Sequence, residues 1–398
     1  MKNKKVRLSV ILNLAIYLVS ISLLARNTIL SNTLKWNNYS FSEYIISYPN
    51  KFIRRGLVGE VLTYLSNGES IFYGVQIVVF ANCILFISLL FLLFKKLKID
   101  IEFLSLLLLS SMGFFQLFFY GNFYFRKEMF YLNFFIILIF LVMHEESKKI
   151  NKNIINIYLL LLTLIISLIH EGFLLVTTPF IFLLLRNKRI NFHKFYALYS
   201  YGLFVLMILS QGDSQATNTL WDDLNSFDKS LIPEISSTAF SFVGYDYSFF
   251  LTTEYNGLSL LDGGNVFYWL FIIFYFILFL SLIFTNGSVF DLIYLLENQF
   301  KYEYILLSVP VLFCIGFDWG RFLVAVFYVL FLFLLYNLKH KISNFQISRR
   351  TLSFKFFVLM TLFTIIPDRS WQDFSYINKF FDSIDEIKFI FNNILNFI

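Results

Sequence analysis

Apolar residues recur along this chain in long unbroken runs, without the alternation of a half-buried strand or the single stripe of a soluble helix. Runs of roughly 15 to 24 apolar residues, near the length that crosses a bilayer, fall at 7–25, 71–94, 103–120, 129–143, 154–170, 172–185, 195–210, 265–286, 303–317, 322–337 and 352–366. The pattern predicts an all-α fold, a polytopic transmembrane helical bundle of about eleven spans. A single integral membrane domain over 1–398 is expected, with no soluble domain.

Three polar stretches interrupt the runs. In 26–70, the segment LVGEVLTYL is too short to cross and predicts an interfacial or re-entrant helix. The stretch 211–264 far exceeds the usual connection of about 4–6 residues and predicts a lid or binding loop. The connection 287–302, NGSVFDLIYLLENQFK, predicts an amphipathic helix at the inner membrane surface, and the 367–398 tail ends in a similar pattern, IDEIKFIFNNILNFI.

Composition strengthens this picture. The chain is 58% hydrophobic and only 15% charged, where a soluble fold carries about 25% charged residues. Its net charge of +6 fits basic loops facing anionic lipid and gives no reason to expect nucleic acid as a partner. Lys95, Lys96, Lys98, Lys148, Lys149, Lys152, Arg186, Lys188, Arg189, Lys194, Lys339, Lys341, Arg349 and Arg350 all fall on one side if the N-terminus is cytoplasmic, as the positive-inside rule requires. The first run, preceded by Lys2, Lys4, Lys5 and Arg7, reads as an uncleaved anchor. The loop 211–264 and the tail 367–398 are then extracytoplasmic. Cys83 and Cys314 lie inside apolar runs, as small core residues do.

A second set of charges runs against this gradient. Arg54 and Arg55 follow the first span, Arg126, Lys127 and Glu128 join the third and fourth, His170 and Glu171 join the fifth and sixth, and Asp318 and Arg321 join the ninth and tenth. All sit at outer helix ends, where a positive charge opposes the topogenic signal. Guanidinium forks bind phosphate oxygens bidentately, and helix N-termini add partial positive charge. Arg54, Arg55, Arg126, Lys127 and Arg321 are therefore candidates to hold a diphosphate. His170 is the candidate general base, with Glu128 as its alternative. Glu171 and Asp318 are supporting carboxylates; Glu171 leaves the helix at a different azimuth from His170 and suits an arginine. Each residue also has a plain structural role open to it: a snorkelling arginine, an Asp318–Arg321 pair at i,i+3 spacing, a histidine at a helix end. His-Glu here is not HExxH, and neither metal nor cofactor is expected.

With its many spans, late outer loop and outward arginines, the chain resembles the O-antigen and capsular polysaccharide polymerases of bacteria, the Wzy class. That resemblance implies a multi-pass enzyme of the bacterial inner membrane that accepts undecaprenyl-diphosphate-linked oligosaccharide, transfers glycan to a sugar hydroxyl and releases undecaprenyl diphosphate. It also implies membrane lipids and a chain-length regulator as partners, arginines on the diphosphate and a histidine or carboxylate as base. The loop 211–264 departs from the class in holding no arginine and only Lys229.

Two alternatives belong to other classes. A GT-C-type glycosyltransferase using a polyprenyl-phosphate sugar carries an acidic motif in its first outer loop; here that loop offers Glu43 and Glu60 but no aspartate, a departure that counts against this reading. Asp222 and Asp223 lie in the later loop, where they predict a helix N-cap and first turn. A transporter or flippase of lipid-linked glycans would place polar groups at mid-membrane.

Overall fold

The computed structural model describes residues 38–48, 52–53, 55–67, 69–99, 127–188, 190–209, 214–231, 273–274, 276–281, 284–285, 288–299 and 319–338. All belong to one compact unit, within 1–99 and 122–345; a second unit, 100–121 and 346–398, contains none of them. The expected spans at 7–25, 103–120, 303–317 and 352–366, most of 265–286, and the tail 367–398 thus lie outside the described residues. Among those described, every regular element is a helix.

In chain order these are α1 (Asn38–Ile45), α2 (Leu57–Ser66), α3 (Phe72–Leu97), α4 (Glu128–Glu146), α5 (Lys152–Ile169), α6 (Gly172–Asn187), α7 (His193–Leu209), α8 (Ser214–Asp222), α9 (Ser226–Leu231), α10 (Val289–Gln299) and α11 (Trp319–Asn337). Three of them, α3, α4 and α5, are long and apolar enough to cross a membrane; α6, α7 and the Ala325–Asn337 part of α11 are shorter apolar helices.

Helix α6 forms the centre. Its residues from Gly172 through Leu185 are buried on every side, which is how a helix apolar all round must sit, and α4, α5, α7 and α11 pack against it. Aliphatic contact with lipid is nearly as good as contact with protein, so small and polar groups tie the helices together. Asn133 of α4 donates its amide to the Asn82 carbonyl of α3 at 3.0 Å. The Thr178 hydroxyl of α6 meets that of Ser200 of α7, and Thr163 of α5 meets Tyr196 of α7 at 3.2 Å.

Helices α4 to α7 run alternately up and down, and α3 ends beside the end of α4, which gives the bundle two chemically different ends. At one, Lys188 pairs with Glu146 at 2.6 Å and Lys152 with Glu145 at 3.9 Å, while Lys96 lies 3.5 Å from the His144 ring nitrogens. The start of α4, the end of α5 and the start of α6 define the other.

The two short helices α1 and α2 pack on each other and on α3, and α2 also reaches α5. LVGEVLTYL, together with Ser66, thus forms a helix of ten residues. Gly59 is what lets it approach α1: a Cβ there would strike the Ile46 carbonyl. Tyr64 and Leu65 point away from the protein, at 85% and 71% exposure. The 287–302 connection holds α10, with Leu292 and Leu295 buried and Phe290, Ile293 and Tyr294 exposed. The expectation for Asp222 and Asp223 needs correcting. They close α8 rather than open a helix, and the cap of α9 is Asn225, whose Oδ1 accepts the Asp228 N–H at 2.8 Å.

Candidate functional site

The site begins with a broken helix. At the end of α5, His170 takes an extended backbone (φ −165°) and Glu171 re-enters helical space as the N-cap of α6. Gly172 makes this junction feasible, because a Cβ there would crowd the His170 ring at 3.0 Å. The Gly172 N–H instead donates to His170 Nδ1 at 3.1 Å. With that lone pair occupied, the proton of the neutral imidazole resides on Nε2. Tyr131, one turn into α4, sets its ring edge-on to the imidazole at 5.7 Å.

Around Nε2 stand two carboxylates: Glu43 Oε1 of α1 at 3.6 Å and Glu128 Oε1 of α4 at 3.9 Å. Glu171 Oε2 is 4.0 Å from Nδ1. All three glutamates and the histidine are buried. A carboxylate taken out of water is costly unless cations and hydrogen bonds compensate it.

Arg55 supplies one such cation. Its Nε donates to Glu171 Oε2 at 2.8 Å and its Nη2 to Oε1 at 2.7 Å, the bidentate fork. Its Nη1 reaches Glu43 Oε1 at 3.2 Å. One guanidinium therefore joins the α1 carboxylate to the α6 N-cap, while a fifth of its side chain stays exposed. To do so Arg55 adopts φ 67°, left-handed backbone that costs a non-glycine residue about 1–2 kcal/mol.

Lys127 holds that strained position. Its buried ammonium donates to the Arg55 carbonyl at 2.9 Å and lies 5.7 Å from the Tyr44 ring centroid. Burial pushes it down to about 8, with Glu43 and then the other glutamates opposing the shift and Arg55 adding to it.

The structure thus brings together Arg55, Lys127, Glu128, His170 and Glu171, along with Glu43. Arg54, Arg126 and Asp318 lie outside the described residues; Arg321 falls in the first turn of α11, with only its backbone described. Among the described residues, no three His, Cys, Asp or Glu side chains are placed to hold a metal ion. Glu43, named in the sequence only as an acid of the first outer loop, is the member that the charges at the helix junctions do not include. Its signal was a charge inside YSFSEYII, whose neighbours Phe41, Tyr44, Ile45 and Ile46 are all buried.

Residues 8–179 match the model of a family described as "Uncharacterised membrane protein Rv1490". The chain is a membrane protein. The match spans 172 of the 398 residues, a span that contains every residue of the cluster. It supports the membrane assignment and says nothing of a polymerase. No curated protein and no solved structure matches the chain.

Proposed function

We propose that this membrane protein is a glycosyltransferase that takes its sugar from a polyprenyl-phosphate carrier, with Glu43, His170 and Glu128 at its catalytic end. The observation that carries the reading is the position of Glu43. An acid from the first loop, the place where GT-C-type transferases keep theirs, stands 3.6 Å from a buried histidine.

The chemistry follows from the hydrogen bonds. His170 has its proton on Nε2, facing the carboxylates, so it orients and donates while a glutamate accepts. Glu43 takes the proton of an acceptor hydroxyl; the oxygen attacks the anomeric carbon; the bond from that carbon to the phosphate oxygen breaks, and polyprenyl phosphate leaves. Arg55 fixes Glu43 in place and supplies positive charge that offsets the charge developing on the leaving phosphate. Lys95, Lys96, Lys98, Lys148, Lys149, Lys152, Arg186 and Lys188 belong to the opposite end of the helices, which by the positive-inside rule supports an outer-face position for the cluster.

The second reading is the polymerase, with a diphosphate-linked oligosaccharide as donor. It is favoured by the run Arg54-Arg55, whose second arginine keeps a fifth of its side chain exposed. The Arg55 fork is occupied by Glu171 and Glu43, and that favours the monophosphate donor.

Purified protein in liposomes separates the two. Supplied with a polyprenyl-phosphate sugar and an oligosaccharide acceptor, it should add single residues, and Glu43→Gln should reduce turnover by about 10²–10⁴-fold, the usual contribution of a general base. Long ladders from a diphosphate-linked oligosaccharide alone would select the polymerase. Undiminished transfer by Glu43→Gln would remove that residue from the base role.

A further inference from the structure

The long loop contributes a buried acid that the cluster does not use. Asp228, on α9, is fully buried. Its Oδ1 accepts the Ser70 hydroxyl at 2.7 Å, and its Oδ2 accepts the Ile71 N–H at 3.0 Å. The Phe72 N–H donates in turn to Ser70 Oγ at 3.2 Å. A helix start leaves its first N–H groups without intrahelical partners, and α3 meets that need with a carboxylate borrowed from a segment 157 residues away. The negative charge also suits the positive end of the α3 dipole.

The neighbouring residue forms a wedge. Phe227 lies parallel to Tyr73, ring centroids 6.5 Å apart, and sets its edge against Phe72 at 5.9 Å. Phe72 meets Phe41 edge-on at 5.7 Å. Phe41 is buried in α1, two residues before Glu43. A continuous path of packed groups therefore runs from Asp228 through the first turn of α3 to the helix that carries Glu43.

We propose that Asp228 is a positioning residue: it clasps the α8–α9 segment of the long loop to the start of α3 as a strap, and through Phe227, Phe72 and Phe41 that strap sets α1 and so the aim of Glu43. The inference rests on the glycosyltransferase reading only for its catalytic consequence. The structural coupling stands apart from it.

Hydrogen exchange on the full-length protein in lipid nanodiscs tests the coupling without any substrate. Asp228→Ala should speed exchange at 70–75 and also at 38–46, leaving 172–187 in the central helix protected. Asp228→Asn keeps one acceptor and should fall between Asp and Ala. Should Asp228→Ala loosen the whole bundle, Phe227→Ala decides, since it removes the wedge and spares the carboxylate; it should free 38–46 selectively. Unchanged exchange at 38–46 in Phe227→Ala, or in an Asp228→Ala protein whose 70–75 segment is freed, overturns the proposal. In transfer assays Asp228→Asn should lower kcat by about 10- to 100-fold, as a misplaced catalytic group does, with KM for the lipid donor unchanged; a change in KM alone would contradict positioning. Absence of transfer by the parent protein would refute the glycosyltransferase reading and leave the exchange result to judge the strap.

Discussion

At the scale of residues, the site is a compact charge network whose members restrain one another. Arg55 tolerates left-handed backbone because its side chain is forked on Glu171 and its carbonyl is held by Lys127. Lys127 carries a measurable signature. Its ammonium titrates near 8 in the folded protein and near 10.4 in an unfolded chain. Between these values the unfolded state binds more protons, so stability rises with pH across that window. Below about pH 8 both states hold the proton, and burial weighs fully against the fold. The parent protein should therefore gain thermal stability relative to Lys127→Met as pH rises from 7.5 to 10. A difference in Tm that stays flat over that range would show that Lys127 is not buried as a cation.

At the scale of elements, glycines test the packing of the small helices against that of the bundle. Gly59→Ala would set a methyl group against the Ile46 carbonyl, a backbone atom that cannot swing aside, so α1 and α2 must separate and carry Glu43 with them. Gly202 of α7 faces open space, and Gly202→Ala should stabilise by about 0.5–1 kcal/mol from helix propensity alone. Thermal unfolding should show a loss for the first and a small gain for the second; equal effects would mean that α1 and α2 are not in close contact. Much of this level was legible in the sequence. The apolar runs at 71–94, 129–143, 154–170, 172–185, 195–210 and 322–337 coincide with helices α3 to α7 and α11, of which α3, α4 and α5 are long and apolar enough to cross a membrane. LVGEVLTYL was legible as a short helix too. Helix α1 was not: NYSFSEYI mixes hydroxyls, aromatics and a carboxylate, and its burial comes from partners far along the chain. The Asp228 cap was equally hidden, since a carboxylate that satisfies a helix start 157 residues away leaves no local pattern. Asp222 and Asp223 read as the N-cap and first turn of a helix in their own loop, and the turn after α8 gives the cap of α9 to Asn225.

At the scale of the whole molecule, the helices sort their charges by end. Lys95 and Lys96 in the last turn of α3 and Arg186 in that of α6 stand at one, and the buried cluster stands at the other. Alternating helices joined by short connections bring the RKE and HEG junctions to the same level, which is why their shared end could be read from topology. The distances within that end could not, nor could the place of Glu43 beside the Arg55–Glu171 pair. The central claim is that Glu43, seated beside His170, serves transfer from a lipid-linked sugar. Its most direct test is the profile of polyprenyl-phosphate- and polyprenyl-diphosphate-linked sugars, measured by mass spectrometry in native cells whose chromosomal copy carries Glu43→Gln. One lipid-linked sugar should accumulate severalfold, with loss of the glycan it supplies and the protein present at normal level in the membrane. A lipid-linked sugar profile identical to that of the parent, at equal protein level, would contradict that claim.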